Sequence, residues 1–107
     1  MLIKVSTDFS KVPGSRYTSE GDFSGEEFRD TVLIPKYLEA EEKDEKIIID
    51  LDGCYGFATS FLEETFGGLV RKLERKNLMD RIEIIANDDT SLKELIYDYV
   101  KKAEAKL

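Results

Sequence analysis

Two hydroxyl side chains, Thr59 and Ser60, stand where an apolar run gives way to an amphipathic segment, and they are the side chains in the chain best placed for chemistry. Ser60 and Glu63 have the Ser-x-x-Glu spacing of a capping box, in which the hydroxyl accepts from the Glu63 amide and the carboxylate reaches back to the Ser60 amide. The same residue types at an exposed helix start suit a phosphoacceptor read by a partner, so Thr59 and Ser60 are both candidates for modification. Around them Tyr55, Phe57, Phe61 and Glu64 form a candidate partner-binding surface. Glu63 and Glu64 are adjacent carboxylates, and consecutive helical positions point about 100° apart, so they are not expected to share a substrate as a catalytic pair. A second candidate is the glycine-rich stretch from Gly14 to Gly25, where Arg16, Ser24 and Gly25 precede a helix start suited to an anion. It lacks the Gly-Lys-Ser/Thr ending of a phosphate-binding loop.

Composition narrows the chemistry. There is no histidine, which removes imidazole-dependent triads and histidine-containing zinc sites, and Cys54 is the single cysteine, so no internal disulfide forms. The net charge of −7 repels phosphate backbones and argues against nucleic acid as a partner. No apolar run approaches the ~20 residues of a membrane span, and the opening MLIKVSTDFS lacks the apolar core of a signal peptide, so a cytoplasmic location is expected. At 107 residues and 41% hydrophobic content, one domain over residues 1–107 with one core is expected.

The elements that position these residues follow from periodicity. Leu2 to Ser6 alternates and reads as a strand, and Ser15 to Ser19 as a second short one after the Pro13-Gly14 turn. Ser24 to Glu27 repeats the capping box and opens a helix with Phe28, Val32 and Leu38 on its apolar face. Pro35 predicts a kink or break near Ile34. The nearly unbroken Ile47, Ile48, Ile49 and Leu51 suit a central strand buried on both faces, with helices on both sides. Ser60 then caps a helix reaching about Lys76, in which Gly67-Gly68 implies close approach to the sheet. Arg81 to Ala86 is a further strand, and the stripe Leu92, Leu95, Ile96, Tyr99, Val100, Ala103 and Leu107 a terminal helix. The sum is an α/β sandwich with a mixed sheet of about four strands and three helices.

Three stretches carry a resemblance to a known family. GSR (Gly14 to Arg16), EGDFSGEEFR (Glu20 to Arg29) and TSFLEETFGGL (Thr59 to Leu69), with the preceding IIIDLDG, resemble the STAS-like family of bacterial, archaeal and phage-associated domains. More distantly, strand, loop and helix are similar to the STAS domain of anti-sigma-factor antagonists, where a loop at this junction carries a phosphorylated serine. That registration places Thr59 at the phosphoacceptor and Ser60 at the next serine, with Ala58 and Phe61 departing from the antagonist pattern. The resemblance implies a STAS-like fold and a non-catalytic signalling module, gated by phosphorylation, whose partner is a histidine-kinase-type ATPase or a serine kinase. The alternative kept beside it is a small-ligand or nucleotide sensor using Arg16 and the helix start at Ser24. No cofactor is expected.

Overall fold

The computed structural model describes residues 1–107. Three parallel strands, β1 (Leu2–Lys4), β2 (Ile47–Asp50) and β3 (Ile82–Ile85), lie in chain order with β2 central. Leu2 pairs with Ile48 and Ile48 with Glu83, while Lys4 pairs with Asp50 and Asp50 with Ile85. Four helical segments complete the chain: the single turn α1 (Val5–Asp8), α2 (residues 25–43), α3 (residues 59–73) and α4 (Ser91–Glu104). Helix α3 packs between α2 and α4. None of these helices is long and apolar enough to cross a membrane.

The sheet is therefore wholly parallel and has three strands, where a mixed sheet of four was expected. Residues 15–19 do not form a strand; they lead into the 3₁₀ turn Thr18–Glu20, at whose start the Tyr17 and Thr18 amides donate to the Glu20 and Glu26 side chains. Nor is β2 buried on both faces. Ile47 and Ile49 are fully buried with Ile3, Ile82 and Ile84, but Ile48 is half-buried, and the row beside it contains Leu2 at 58% exposure and the exposed Glu83. Successive strand residues point to opposite faces, so the helices cover one face and the other is open. Three consecutive isoleucines do not reveal this, because both faces carry the same residue type.

The free edge of β1 is closed by its own chain. The Lys4 amide donates to Asp8 Oδ2 at 2.8 Å, and Thr7 Oγ1 donates to the Lys4 carbonyl at 3.4 Å.

Both long helices contain one π-turn, Arg29–Leu33 in α2 and Glu63–Gly67 in α3, where the amides of Ile34 and Gly68 bond to the carbonyls of Arg29 and Glu63 five residues back. The first of these replaces the break expected at Pro35. Proline leaves its i−4 carbonyl without a donor, and the wider turn just ahead of it keeps the helix continuous. It also rotates the face that follows: Leu33, Tyr37 and Ala40 are buried, while Leu38, expected inside, is 41% exposed. Helix α3 ends at Leu73, where Glu74 takes a left-handed conformation, three residues before the expected stop at Lys76.

Candidate functional site

Ser24 caps α2 as its sequence implies. Its hydroxyl accepts from the Glu27 amide at 3.0 Å, and Glu27 reaches back to the Phe23 amide at 3.2 Å. The remaining amides of that first turn are also engaged, Gly25 on the Ser15 carbonyl at 2.8 Å, Glu26 on the Arg16 carbonyl at 3.0 Å and Phe28 on the Ser24 carbonyl at 3.0 Å. Ser24 and Gly25 are buried, and a β-carbon at Gly25 would lie 2.6 Å from the Phe61 carbonyl oxygen. This helix start is the tight crossing of α2 over α3, with its donors satisfied by the chain itself.

Ser60 does not cap α3. The N-cap position is Ala58, no side chain caps the helix, and Glu63 turns away from the Ser60 amide. The cause is a stronger partner: Glu63 Oε1 accepts from Arg16 Nη1 at 2.7 Å, and its carboxylate takes both Nη groups of Arg71, at 2.8 and 3.0 Å. Hydrogen bonds from Arg71, opposed by burial and reinforced by Arg16, hold the Glu63 carboxyl down to about 2.

Glu64 joins the same cluster. Its Oε1 lies 3.2 Å from Arg16 Nη1, and its Oε2 pairs with Arg29 Nη1. Arg29 is only 3% exposed and also meets Asp30 at 2.8 Å through Nε. Burial opposes the charge on Arg29, but the hydrogen bonds it donates to Asp30 and Glu64 keep it protonated. The two adjacent glutamates thus converge on the same two guanidiniums, Arg16 and Arg71, which the helical-wheel argument did not foresee. Gly67 and Gly68 belong here too. A β-carbon on Gly68 would sit 2.6 Å from Arg29 Nη1 and 3.2 Å from Glu64 Oε2, and one on Gly67 would run into the Glu63 carboxylate. The glycine pair makes room for buried charges and not, as expected, for the sheet.

Arg29 and Arg71 are the residues that sequence reasoning missed. Their partners lie 35 and 8 positions away, and neither has a local spacing that announces the contact. A hint was available: all three stretches that carry the family resemblance supply members of this clasp, Arg16 from the first, Arg29 from the second, and Glu63, Glu64, Gly67 and Gly68 from the third. Its geometry is that of a structural lock, in which every guanidinium faces a carboxylate.

The candidates at the β2–α3 junction separate into two sets. Phe61 is fully buried, in an aromatic cluster with Phe9, Phe28 and Phe57, and Glu64 is buried in the clasp, so neither is available to a partner. Tyr55 is 85% exposed, Thr59 is exposed, and Phe57 and Ser60 are half-buried. The amides of Thr59, Ser60 and Phe61 meet no acceptor within the chain, so the start of the continuous helix at residues 59–73 presents open donors beside two hydroxyls. The Cys54 thiol, half-buried and 3.5 Å from the Ser10 carbonyl, is pushed up by burial, which disfavours the thiolate. Arg16, the cationic candidate for an anion site, is committed to Glu63 and Glu64.

Neither the curated proteins nor the solved structures compared with this chain gave a match. The family model described as "STAS-like domain of unknown function (DUF4325)" matches residues 24–92, from the cap of α2 to the first turn of α4. The chain belongs to that STAS-like family.

Proposed function

We propose that this chain is a non-catalytic regulatory module that binds a protein partner through the exposed part of the β2–α3 junction, Tyr55, Phe57, Thr59 and Ser60, with phosphorylation of Thr59 or Ser60 as the gate. The observation that carries the reading is the exposure of Tyr55, at 85% the least covered large apolar side chain of the protein, four residues before a hydroxyl on an open helix start. A phosphate on Thr59 would meet unpaired amides and the positive end of the helix dipole. It adds roughly −1.5 to −2 charges to a surface a partner must desolvate. Against catalysis stands the chemistry next to the hydroxyls: no histidine exists, and Glu63, the carboxylate nearest in sequence to Thr59 and Ser60, is tied up by two arginines. The family resemblance extends the reading to a histidine-kinase-type ATPase or serine kinase as partner, in a cytoplasmic signalling setting. The sensor alternative is less favoured because Arg16 and the amides at the Ser24 helix start have partners within the chain, and calorimetric titration with nucleotides is expected to show no heat of binding.

The test is affinity capture from the source cells with Tyr55→Ser as control, reading partners and Thr59 and Ser60 phosphorylation by mass spectrometry. Titration of the identified partner with Thr59→Glu and Thr59→Ala follows. The expected result is a partner lost in Tyr55→Ser, with affinities for the two Thr59 variants that differ at least tenfold. Retention by Tyr55→Ser retires the junction as the interface, and equal affinities retire the gate.

A further inference from the structure

The apolar surface at the junction is wider than the β2–α3 loop alone. The Tyr55 amide donates to the Lys11 carbonyl at 2.9 Å, and the Gly14 amide to the Phe23 carbonyl at 2.7 Å, so three loop segments lie side by side at the C-terminal edge of the sheet. They expose Val12 at 60%, Tyr55 at 85% and Phe23 at 41%. Phe23 is held at a φ of 58°, a left-handed conformation uncommon for a bulky residue, with its ring edge-on to Phe9 at 5.6 Å. The chain thus accepts backbone strain at the residue that continues the patch beyond Val12.

The border of this crest is acidic. Asp52 and Asp88 are fixed by backbone bonds, the Asp88 amide to Asp52 Oδ1 at 2.9 Å and the Gly53 amide to Asp88 Oδ2 at 2.8 Å. With Asp89 they share with Phe57 the lining of one cavity of ≈50 Å³. None of the three, nor Asp22 beside Phe23, forms an ion pair. Lys11 is the cation on the crest itself, and Lys4, below it, is taken by Asp50 at 3.2 Å. A cavity this small does not enclose a small-molecule ligand, which needs roughly 300 Å³ or more. Exposed apolar side chains with carboxylates outside any ion pair at their margin instead suit a macromolecular surface of opposite charge.

We infer that the crest of Val12, Phe23, Tyr55 and Phe57 docks a cationic amphipathic protein segment, whose apolar side chains lie on the crest and whose lysines or arginines meet Asp52, Asp88 and Asp89. This rests on the junction being a partner-binding surface and names the chemistry of that partner. Apolar contact supplies affinity, and the acidic margin supplies orientation and a salt-sensitive association rate.

The experiment is a ¹⁵N NMR titration of the intact chain with three synthetic amphipathic helical peptides, one with lysine and leucine faces, one with glutamate replacing every lysine, and one with glutamine replacing every leucine. The lysine–leucine peptide is expected to shift the amides of Val12, Phe23, Tyr55, Phe57 and Asp88, and to bind at least fivefold more weakly to Tyr55→Ser and to Asp88→Asn, which keeps an acceptor for the Gly53 amide. Its affinity should fall severalfold between about 50 and about 300 mM salt. Equal binding of the glutamate–leucine peptide on the crest overturns the cationic assignment while leaving the junction a docking surface. Equal binding of the lysine–glutamine peptide shows charge alone at work and overturns the amphipathic assignment. A lysine–leucine peptide that leaves the crest unshifted overturns the inference outright, and the junction itself is then judged by the Tyr55→Ser capture.

Discussion

Arg29 opens the π-turn of α2 and Glu64 is the second residue of the π-turn of α3, so their ion pair joins the two helices where each departs from α geometry. Both are buried, and Arg16 and Asp30 occupy the remaining faces of the pair. Burial makes the pair costly to break and gives it little net advantage over apolar packing, because each charge has lost its water.

Arg29→Met and Glu64→Leu should each destabilise the fold by roughly 1–3 kcal/mol, since each leaves a buried charge with only part of its compensation, Glu64 with Arg16 and Arg29 with Asp30. The double variant should lose clearly less than the sum. Urea unfolding of all four proteins gives the coupling energy, and strict additivity would mean that the two side chains do not sense one another.

Gly68→Ala should be destabilising by about 1–3 kcal/mol even though alanine favours helix by about 1 kcal/mol. Its β-carbon meets Arg29, whose Cδ is also within 3.2 Å and has nowhere to retreat. Gly67→Ala faces the partly exposed end of Glu63 and should be milder. A higher melting temperature for Gly68→Ala than for Gly67→Ala would refute the seating of Arg29 on that glycine.

Ser24→Ala should cost about 0.5–2 kcal/mol through loss of the cap on the Glu27 amide, whereas Ser60→Ala, which removes no cap, should stay within about 0.5 kcal/mol. The two serines have the same local spacing, so the contrast isolates tertiary context. Equal midpoints in chemical denaturation would place a cap on Ser60 after all.

Glu63 gives a pH signature. Its pKa is lowered from an ordinary 4.5 to about 2 in the folded chain, by Arg71 first and Arg16 second, against the effect of burial. The unfolded state takes up the proton first as pH falls, so the stabilisation is complete above about pH 5 and is lost progressively towards about pH 2. Glu63→Gln should therefore be less stable than the parent by roughly 1–3 kcal/mol at neutral pH, with the gap narrowing through that acid window. A gap that stays constant down to pH 2 would assign the loss to packing alone.

The strand β2 was legible as an apolar run, and the stripe of α4 because burial imposes a period on residue types, as Ile96, Val100 and Ala103 illustrate; all three are buried. The cap at Ser24 was legible because its partners are three residues away. What escaped depends on neighbours distant in the chain. Glu63 has the capping-box spacing, but Arg16 and Arg71 outcompete a backbone amide for its carboxylate. The π-turns leave no periodic trace over five residues, yet one of them moves Leu38 outward and Tyr37 inward. Phe61, grouped with the surface candidates by position, is held inside by three other aromatic rings. At the candidate site, residue types identified the exposed Tyr55 and Thr59 but gave no sign that the Lys11–Gly14 loop runs between the Tyr55 and Phe23 segments.

The sealing of Lys4 by Asp8 and Thr7 has a further consequence. A strand arriving from another molecule at β1 would find the donor and acceptor it needs already spent, and only Leu2 left with outward backbone groups. The sheet therefore ends at β1 by its own chemistry. Growth by strand addition at that side, the first step of runaway self-association, is thereby limited to the single residue Leu2.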